Sequence, residues 1–127
     1  MAQKYEGFVP GSHEIESFGA GGFRFADMSH RGSILVLPTG IRAWDATMPK
    51  EITRESLQAV FDEPAGSIEL LLIGTGEFLL PLRPDVRAAL KEAGIGTDPM
   101  ATAHAIATYN ILVAEKRLVA AALLAVS

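Results

Sequence analysis

The glycine-rich stretch Gly74-Thr75-Gly76 is the first candidate for a binding site in this chain. It follows an apolar run that is typical of a strand, and a helix is predicted to begin near Pro84. Ligands of open α/β sheets bind at the carboxyl ends of strands, and the N–H groups of a helix start attract anions. However, the spacing matches neither a phosphate-binding loop nor a dinucleotide-binding motif. A tight strand exit, in which side chains would clash, is therefore the favoured interpretation.

Two arginines flank the predicted helix start. Arg83 and Arg87 stand on either side of Asp85, and guanidinium groups placed in this way can clamp an anion. Such residues more often form a solvated face with local ion pairs. We favour local pairing, and we keep Arg83 as a candidate binding residue.

The triplet Thr108-Tyr109-Asn110 lies in the middle of a predicted helix. Threonine and asparagine are poor residues for a helix interior, so their side chains are expected to have another use. Asn110 falls on the apolar side of the helix, where a buried amide needs hydrogen-bond partners. We favour a structural role, in which Asn110 holds the 74–76 or the 94–97 loop, over direct contact with a ligand.

Trp44 is the only tryptophan of the chain. Because it stands between Arg42 and Asp45, it can line a pocket or a partner surface, where tryptophan and arginine are enriched. It can equally be a core residue whose ring N–H donates to a carbonyl. The sequence does not separate these two alternatives.

No set of residues predicts a catalytic centre or a metal site. The absence of cysteine excludes disulfides, thiolate metal sites and thiol catalysis. His13, His30 and His104 are scattered without the spacing of metal ligands. The trio Asp27, Ser29 and His30 is crowded into one predicted turn, and nothing supplies an oxyanion hole. We therefore expect no metal and no cofactor, and an enzyme is the less favoured class.

Hydrophobic periodicity predicts the elements that would position these residues. Strands are predicted at 22–27, 33–37, 41–44, 68–73, 95–97 and 118–126, with a turn at 29–32. Helices are predicted at 53–62, 84–94 and 101–115, and Asp98-Pro99 is interpreted as the start of the last one. The predicted fold class is therefore α/β, with antiparallel N-terminal strands followed by parallel strand–helix crossovers.

Length and composition fit one globular domain. The chain has 127 residues, of which 49% are hydrophobic, enough to bury a sizeable core. We expect residues 1–14 to be a loose N-terminal segment and residues 15–127 to be a single α/β domain. The net charge of −4 argues against nucleic acid as a partner.

Neither a signal peptide nor a membrane span is predicted. The N-terminus lacks the apolar core of a signal peptide. The longest apolar run, Leu118 to Val126, is far shorter than the about 20 residues of a membrane-spanning helix. We therefore expect a soluble, cytoplasmic protein with no direct membrane span.

The second half of the chain resembles a known family. The residues that carry the resemblance are Gly74-Thr75-Gly76, Leu90, Gly94-Ile95, Met100-Ala101-Thr102, Ala105 to Leu112, Glu115-Lys116-Arg117 and Val119 to Leu123. These stretches resemble domain-of-unknown-function family 498, which includes mitochondrial complex I assembly factors and an adipogenesis-associated protein of vertebrates. The resemblance covers roughly residues 15 to 126.

This resemblance implies an α/β fold in three layers and no established enzymatic activity. The eukaryotic relatives imply a role in assembling membrane respiratory complexes. Many members carry Cys-Arg where this chain has Ile106-Ala107, so a role for that thiol or guanidinium cannot apply here. The Thr108-Tyr109-Asn110 triplet is intact, which agrees with a role in structure or in a pocket.

We expect a non-enzymatic interaction or assembly factor for a respiratory or other membrane complex. Its partners would be proteins, either membrane-complex subunits or insertion machinery. The alternative is a small-molecule or anion-binding module, or a weak enzyme, with a pocket at the strand exit. A third hypothesis is a homo-oligomer whose apolar last strand needs a cover at a sheet edge. The predicted binding residues are Trp44, Gly74, Thr75, Gly76, Arg83, Thr108, Tyr109 and Asn110.

Overall fold

The structure, a computed structural model, describes residues 7–127. Its strands are β1 (Phe8–Pro10), β2 (Ser17–Gly19), β3 (Gly22–Phe25), β4 (Met28–Arg31), β5 (Ile34–Leu37), β6 (Gly40–Ala43), β7 (Leu70–Gly74), β8 (Gly96–Met100) and β9 (Val119–Leu123). Its helices are α1 (Gln58–Phe61), α2 (Pro84–Glu92) and α3 (Thr102–Ala114), with one 3₁₀ turn at Pro49–Glu51.

The strands form two sheets. The larger has six strands in the order β1-β6-β5-β9-β7-β8, and the smaller has three in the order β2-β3-β4. In the larger sheet, β9 pairs antiparallel with β5 and parallel with β7, which is also parallel to β8. The predicted α/β class, with antiparallel strands followed by parallel crossovers, is therefore confirmed. The last strand lies inside the sheet, so it needs no cover of its own.

Two apolar cores lie on opposite faces of the six-stranded sheet, because its central strands are buried on both sides. In β9, Ala120 and Ala122 face the core that contains Val86 and Leu90 of α2. The alternate residues face a second core, which contains Phe25 of the small sheet and residues of α3. This alternation explains why β5, β7 and β9 are continuous apolar runs. It also produces three layers: α1 and α2, the large sheet, and α3 with the small sheet.

The turn predicted at 29–32 is wrong. Residues 28–31 form β4, which pairs with β3 so that Phe23 lies opposite His30. The chain reverses earlier, between β3 and β4, at Ala26 and Asp27, which have φ values of 51° and 59°. Two positive φ values are typical of a tight two-residue hairpin, and neither residue is a glycine that would have indicated it.

The helix predicted at 53–62 is much shorter in the structure. Only 58–61 is helical, and a turn precedes it. The Thr53 side-chain oxygen accepts a hydrogen bond from the Ser56 N–H at 3.0 Å, as an N-cap would. The Ser56 hydroxyl in turn donates to the Thr53 carbonyl at 3.0 Å. Such local side-chain bonds compete with a regular helical turn.

The helix start predicted at Asp98-Pro99 is also wrong. Both residues belong to β8, and α3 begins at Thr102. Gly96 donates its N–H to the Glu69 carbonyl at 2.9 Å. Backbone N–H groups along a strand point alternately to its two sides, so those of residues 96, 98 and 100 face β7. The Pro99 nitrogen therefore faces away from β7, and a proline is tolerated there because β8 is an edge strand.

Two further predictions concern the whole chain. Across residues 7–127, no helix is long and apolar enough to cross a membrane. The boundary between a loose segment at 1–14 and a domain at 15–127 stays a prediction. Residues 1–6 lie outside the described part, and within the remainder of that segment β1 pairs with β6.

Candidate functional site

The strand exit after β7 is held by close packing. A Cβ atom on Gly74 would lie 2.9 Å from both Cα and Oγ1 of Thr102, closer than side chains pack. Thr102 is buried, and its hydroxyl donates to the Leu124 carbonyl at 2.9 Å. The same oxygen accepts the Gly76 N–H at 3.0 Å. The exit therefore joins β7, the start of α3 and the residue after β9, as the favoured interpretation of a tight strand exit requires.

Thr75 shapes the loop that follows. Its N–H donates to the Met100 carbonyl at 2.9 Å. Its hydroxyl donates to the Phe78 carbonyl at 2.6 Å and accepts the Leu80 N–H at 3.1 Å. Because the N–H groups of Thr75 and Gly76 both have partners within the chain, they are not free to bind an anion.

Arg83 pairs locally. Its Nε and Nη2 atoms donate to the two carboxylate oxygens of Asp85 at 3.0 and 3.2 Å, and both side chains are exposed. The hydrogen bond from Arg83 lowers the pKa of the Asp85 carboxyl. This is the local ion pair that we favoured over an anion clamp in the sequence analysis.

Tyr109 and Asn110 hold the segment before β2. The Asn110 side chain accepts the Ile15 N–H and donates to the Ile15 carbonyl, both at 2.9 Å. The Tyr109 hydroxyl donates to the His13 carbonyl at 3.3 Å. The structural role predicted for Asn110 is present, but the predicted partners are wrong, because the amide binds residue 15 and neither the 74–76 nor the 94–97 loop. Thr108 is half-buried and makes no side-chain hydrogen bond to the described residues.

Trp44 is a core residue. Only 5% of its surface is exposed, and its Nε1–H donates to the Ser56 carbonyl at 2.8 Å. It packs in the core on the α2 side of the large sheet, whereas Tyr109 packs in the core on the α3 side. The sheet therefore separates them, and the predicted binding residues do not form one site.

An exposed apolar surface lies beside the strand exit. None of the binding residues predicted from the sequence belongs to it. Phe78 and Leu79 are 73% and 61% exposed, and Leu80 and Met48 are also exposed. A cavity of about 320 Å³ adjoins them and is lined in part by Met48, Phe78 and Leu80. We name these four residues the apolar loop surface. The signal in the sequence is an apolar run between Gly76 and Pro81 that continues no strand or helix, since loops are usually polar.

Comparison with known proteins places the chain in a family. Residues 15–124 match a family described as protein of unknown function (DUF498/DUF598). The chain belongs to this family. The DUF498/DUF598 match begins at Ile15, the residue whose backbone Asn110 holds.

Relatives and solved structures agree with this assignment. A Xenopus tropicalis protein named NADH dehydrogenase [ubiquinone] 1 alpha subcomplex assembly factor 3 is 34% identical over 110 residues, which cover 87% of this chain and 60% of that protein. The chain thus spans about 60% of the length of this curated relative.

Two structures have the same fold. The crystal structure of an outer membrane protein from Bartonella henselae has a TM-score of 0.89 and 50% identity, covering 93% of this chain and 98% of that one. An NMR structure of a Rhodopseudomonas palustris protein has a TM-score of 0.80 and 45% identity, covering 98% of this chain and 93% of that one.

The described part of this DUF498/DUF598 member offers no metal centre. Within residues 7–127, no group of three or more histidine, aspartate or glutamate side chains could hold a metal ion. A second cavity, of about 710 Å³, lies on the small sheet and is lined in part by Arg24, Ser29 and Arg31. These residues are also absent from the predicted binding residues, because only the strand pairing brings them together.

Proposed function

We propose that this protein is an assembly factor that binds a protein subunit of a respiratory NADH dehydrogenase or another membrane complex. The name of the Xenopus tropicalis relative supports the assembly role. The single observation in this chain that supports it is the apolar loop surface, which exposes large side chains at one end of the sheet. Contiguous exposed apolar side chains mark interaction sites on soluble domains.

The apolar loop surface is held in place by hydrogen bonds. Both Phe78 and Leu80 are bonded through their backbones to the Thr75 hydroxyl. Residues that are fixed before binding lose less conformational entropy in the complex. The loop therefore suits a docking role in which Phe78 and Leu79 enter an apolar cleft on the partner.

An unassembled subunit is the partner whose chemistry fits this surface. Subunits of a permanent complex have large apolar interfaces that are uncovered before assembly. An assembly factor that covers such an interface needs exposed apolar side chains and little net charge at the contact. The four residues of the apolar loop surface carry no charge, and within residues 7–127 Glu77 is the one charged residue that lines the adjoining cavity.

The test is crosslinked affinity purification from the native cell. We expect the wild-type protein to retain subunits of a membrane complex, and the double variant Phe78→Ser, Leu79→Ser to lose them. Because both side chains are exposed, each substitution should change the free energy of unfolding by no more than about 0.5 kcal/mol.

The matched control is the double variant Ile111→Ser, Leu118→Ser, which removes two exposed apolar side chains elsewhere on the surface. It should retain the partner as the wild type does. Equal recovery of the same subunits by both double variants, or no specific subunit with the wild type, would contradict the proposal.

The small-molecule alternative has little support at the strand exit, because the N–H groups of Thr75 and Gly76 already have partners. The homo-oligomer hypothesis and the cytoplasmic location stay predictions. Light scattering over a dilution series tests the former, since a mass that stays at one chain would exclude it.

A further inference from the structure

The outer face of the three-stranded sheet carries two arginines over a cavity. The register places Arg24 of β3 directly opposite Ser17 of β2 and Ser29 of β4. Arg31 lies in the next row on the same face, opposite Gly22. Diagonal neighbours of this kind lie about 7–8 Å apart, with their Cβ atoms somewhat closer, a spacing at which two guanidinium groups can reach one anion. The cavity they line has a volume of about 710 Å³.

The charges on this face are not balanced within the described part of the chain. Arg24 donates to the Ser29 hydroxyl at 3.0 Å and lies 4.0 Å from the Glu16 carboxylate. Arg31 has neither a hydrogen bond nor an ion pair to a side chain among residues 7–127. Arg24 therefore has one carboxylate beside it and Arg31 has none among these residues, so an anion placed between the two guanidinium groups is attracted by both.

The floor and the rim of the cavity leave room for a ligand. Gly19 and Gly22 form one row with Arg31, so no side chain covers the sheet beside its guanidinium group. A Cβ atom on Gly22 would overlap the His30 carbonyl, so a larger residue cannot stand there. Phe18 also borders the cavity, although the register places its side chain on the other face of the small sheet, in the row of Phe23.

We propose that this face binds a small organic phosphate, with the phosphate held between Arg24 and Arg31. Arginine matches the geometry of phosphate oxygens with two parallel N–H donors. The Ser17 and Ser29 hydroxyls lie in the same row as Arg24 and supply further donors. The cavity volume is within the range of small-molecule sites. This inference does not depend on the assembly role.

The test is titration of the full chain with phenyl phosphate, followed by backbone amide NMR at constant ionic strength. We expect saturable shifts of the amides between residues 17 and 31. Loss of one charged hydrogen-bonding group should weaken binding at least about tenfold in Arg31→Gln. The control Arg87→Gln removes an exposed arginine of α2, on the opposite side of the large sheet, and should bind as the wild type does.

Two further variants keep the test decisive. Arg24→Gln should weaken binding as Arg31→Gln does, and it serves if the latter fails to fold. Glu16→Gln removes the carboxylate that competes for Arg24, and should tighten binding about twofold to threefold. The proposal is overturned if no amide between 17 and 31 shifts, or if the two arginine variants bind phenyl phosphate as well as Arg87→Gln.

Discussion

Asn110 shows at the scale of one residue how a polar side chain in a helix is used for structure. Its amide makes the same pair of hydrogen bonds to Ile15 that a neighbouring strand would make. The segment before the small sheet is thereby fixed to α3. The sequence indicated that this amide needs a partner, but the partner lies 95 residues away in the chain, which no local pattern reveals.

We predict that Asn110→Ala loosens this attachment. The substitution removes two hydrogen bonds and leaves the N–H and the carbonyl of Ile15 without their partners. We expect the free energy of unfolding, measured by urea denaturation, to fall by about 1–3 kcal/mol. The Ile15 amide should also exchange with solvent faster. The neighbouring exposed residue serves as control, since Ile111→Ala should change the free energy by only about 0.5 kcal/mol. Unchanged exchange at Ile15 would show that the amide does not hold it.

Tyr109 makes stability depend on pH at the alkaline end. Burial raises the pKa of its hydroxyl to about 12, above the usual 10.0. Because the folded state holds this proton more tightly, the stabilisation is complete below pH 10 and is lost as the pH rises towards 12. Two pKa units correspond to about 2–3 kcal/mol.

We therefore predict that Tyr109→Phe removes this contribution to the fall in the free energy of unfolding at alkaline pH. The free energy of unfolding should be measured for both proteins from neutral pH to pH 12, and the difference between them should change in the alkaline range. Every other ionisable group is present in both proteins, so the comparison isolates the Tyr109 hydroxyl. Parallel curves for the two proteins would mean that the hydroxyl titrates as it does in water.

At the scale of elements, β8 shows how an edge strand is protected. It is the last strand of the large sheet, and the Pro99 nitrogen faces away from β7. An outward N–H group on an edge strand invites pairing with another chain, and proline has none. The same outer position is occupied on the opposite edge by Pro10 of β1.

We predict that Pro99→Val promotes self-association, because it places an outward N–H group and a strong strand former on an open edge. Light scattering should show a mass that rises with protein concentration more steeply than for the wild type. Thr97→Val is the control, since it raises strand propensity on β8 without adding a donor. If both variants scatter alike, the missing N–H group is not what protects this edge.

At the scale of the whole molecule, one sheet couples two cores. Trp44 reports on the core beside α2, whereas Phe25 belongs to the core beside α3. Both cores share β5, β7 and β9, so damage to one face should weaken the sheet that supports the other. A small chain of this kind is expected to unfold in one cooperative step.

We predict that Phe25→Ala lowers the free energy of unfolding by about 3–5 kcal/mol. The urea midpoint should fall by the same amount in Trp44 fluorescence and in far-ultraviolet circular dichroism, although Phe25 lies on the other side of the sheet. A fluorescence midpoint that stays at the wild-type value would show that the two cores unfold independently.

The sequence by itself determined the α/β class, the central strands and the helices α2 and α3. Continuous apolar runs are local signals that predicted the central strands well. Pro84 correctly marked the start of α2, whereas Pro99 lies in β8. Local signals also indicated that Gly74 marks a tight strand exit and that Arg83 pairs nearby, and the structure has both.

Only the tertiary structure decided which residues meet. Trp44 and Tyr109 both looked suited to one surface, yet the large sheet lies between them, because Trp44 packs with α2 on one face and Tyr109 belongs to α3 on the other. Arg24 and Arg31 share a face only because β3 and β4 pair in one particular register. Phe78 and Leu80 of the apolar loop surface are held by the Thr75 hydroxyl, which bonds the backbone of both. Such long-range pairings are set by the packing of the whole chain, which a pattern along the sequence does not contain.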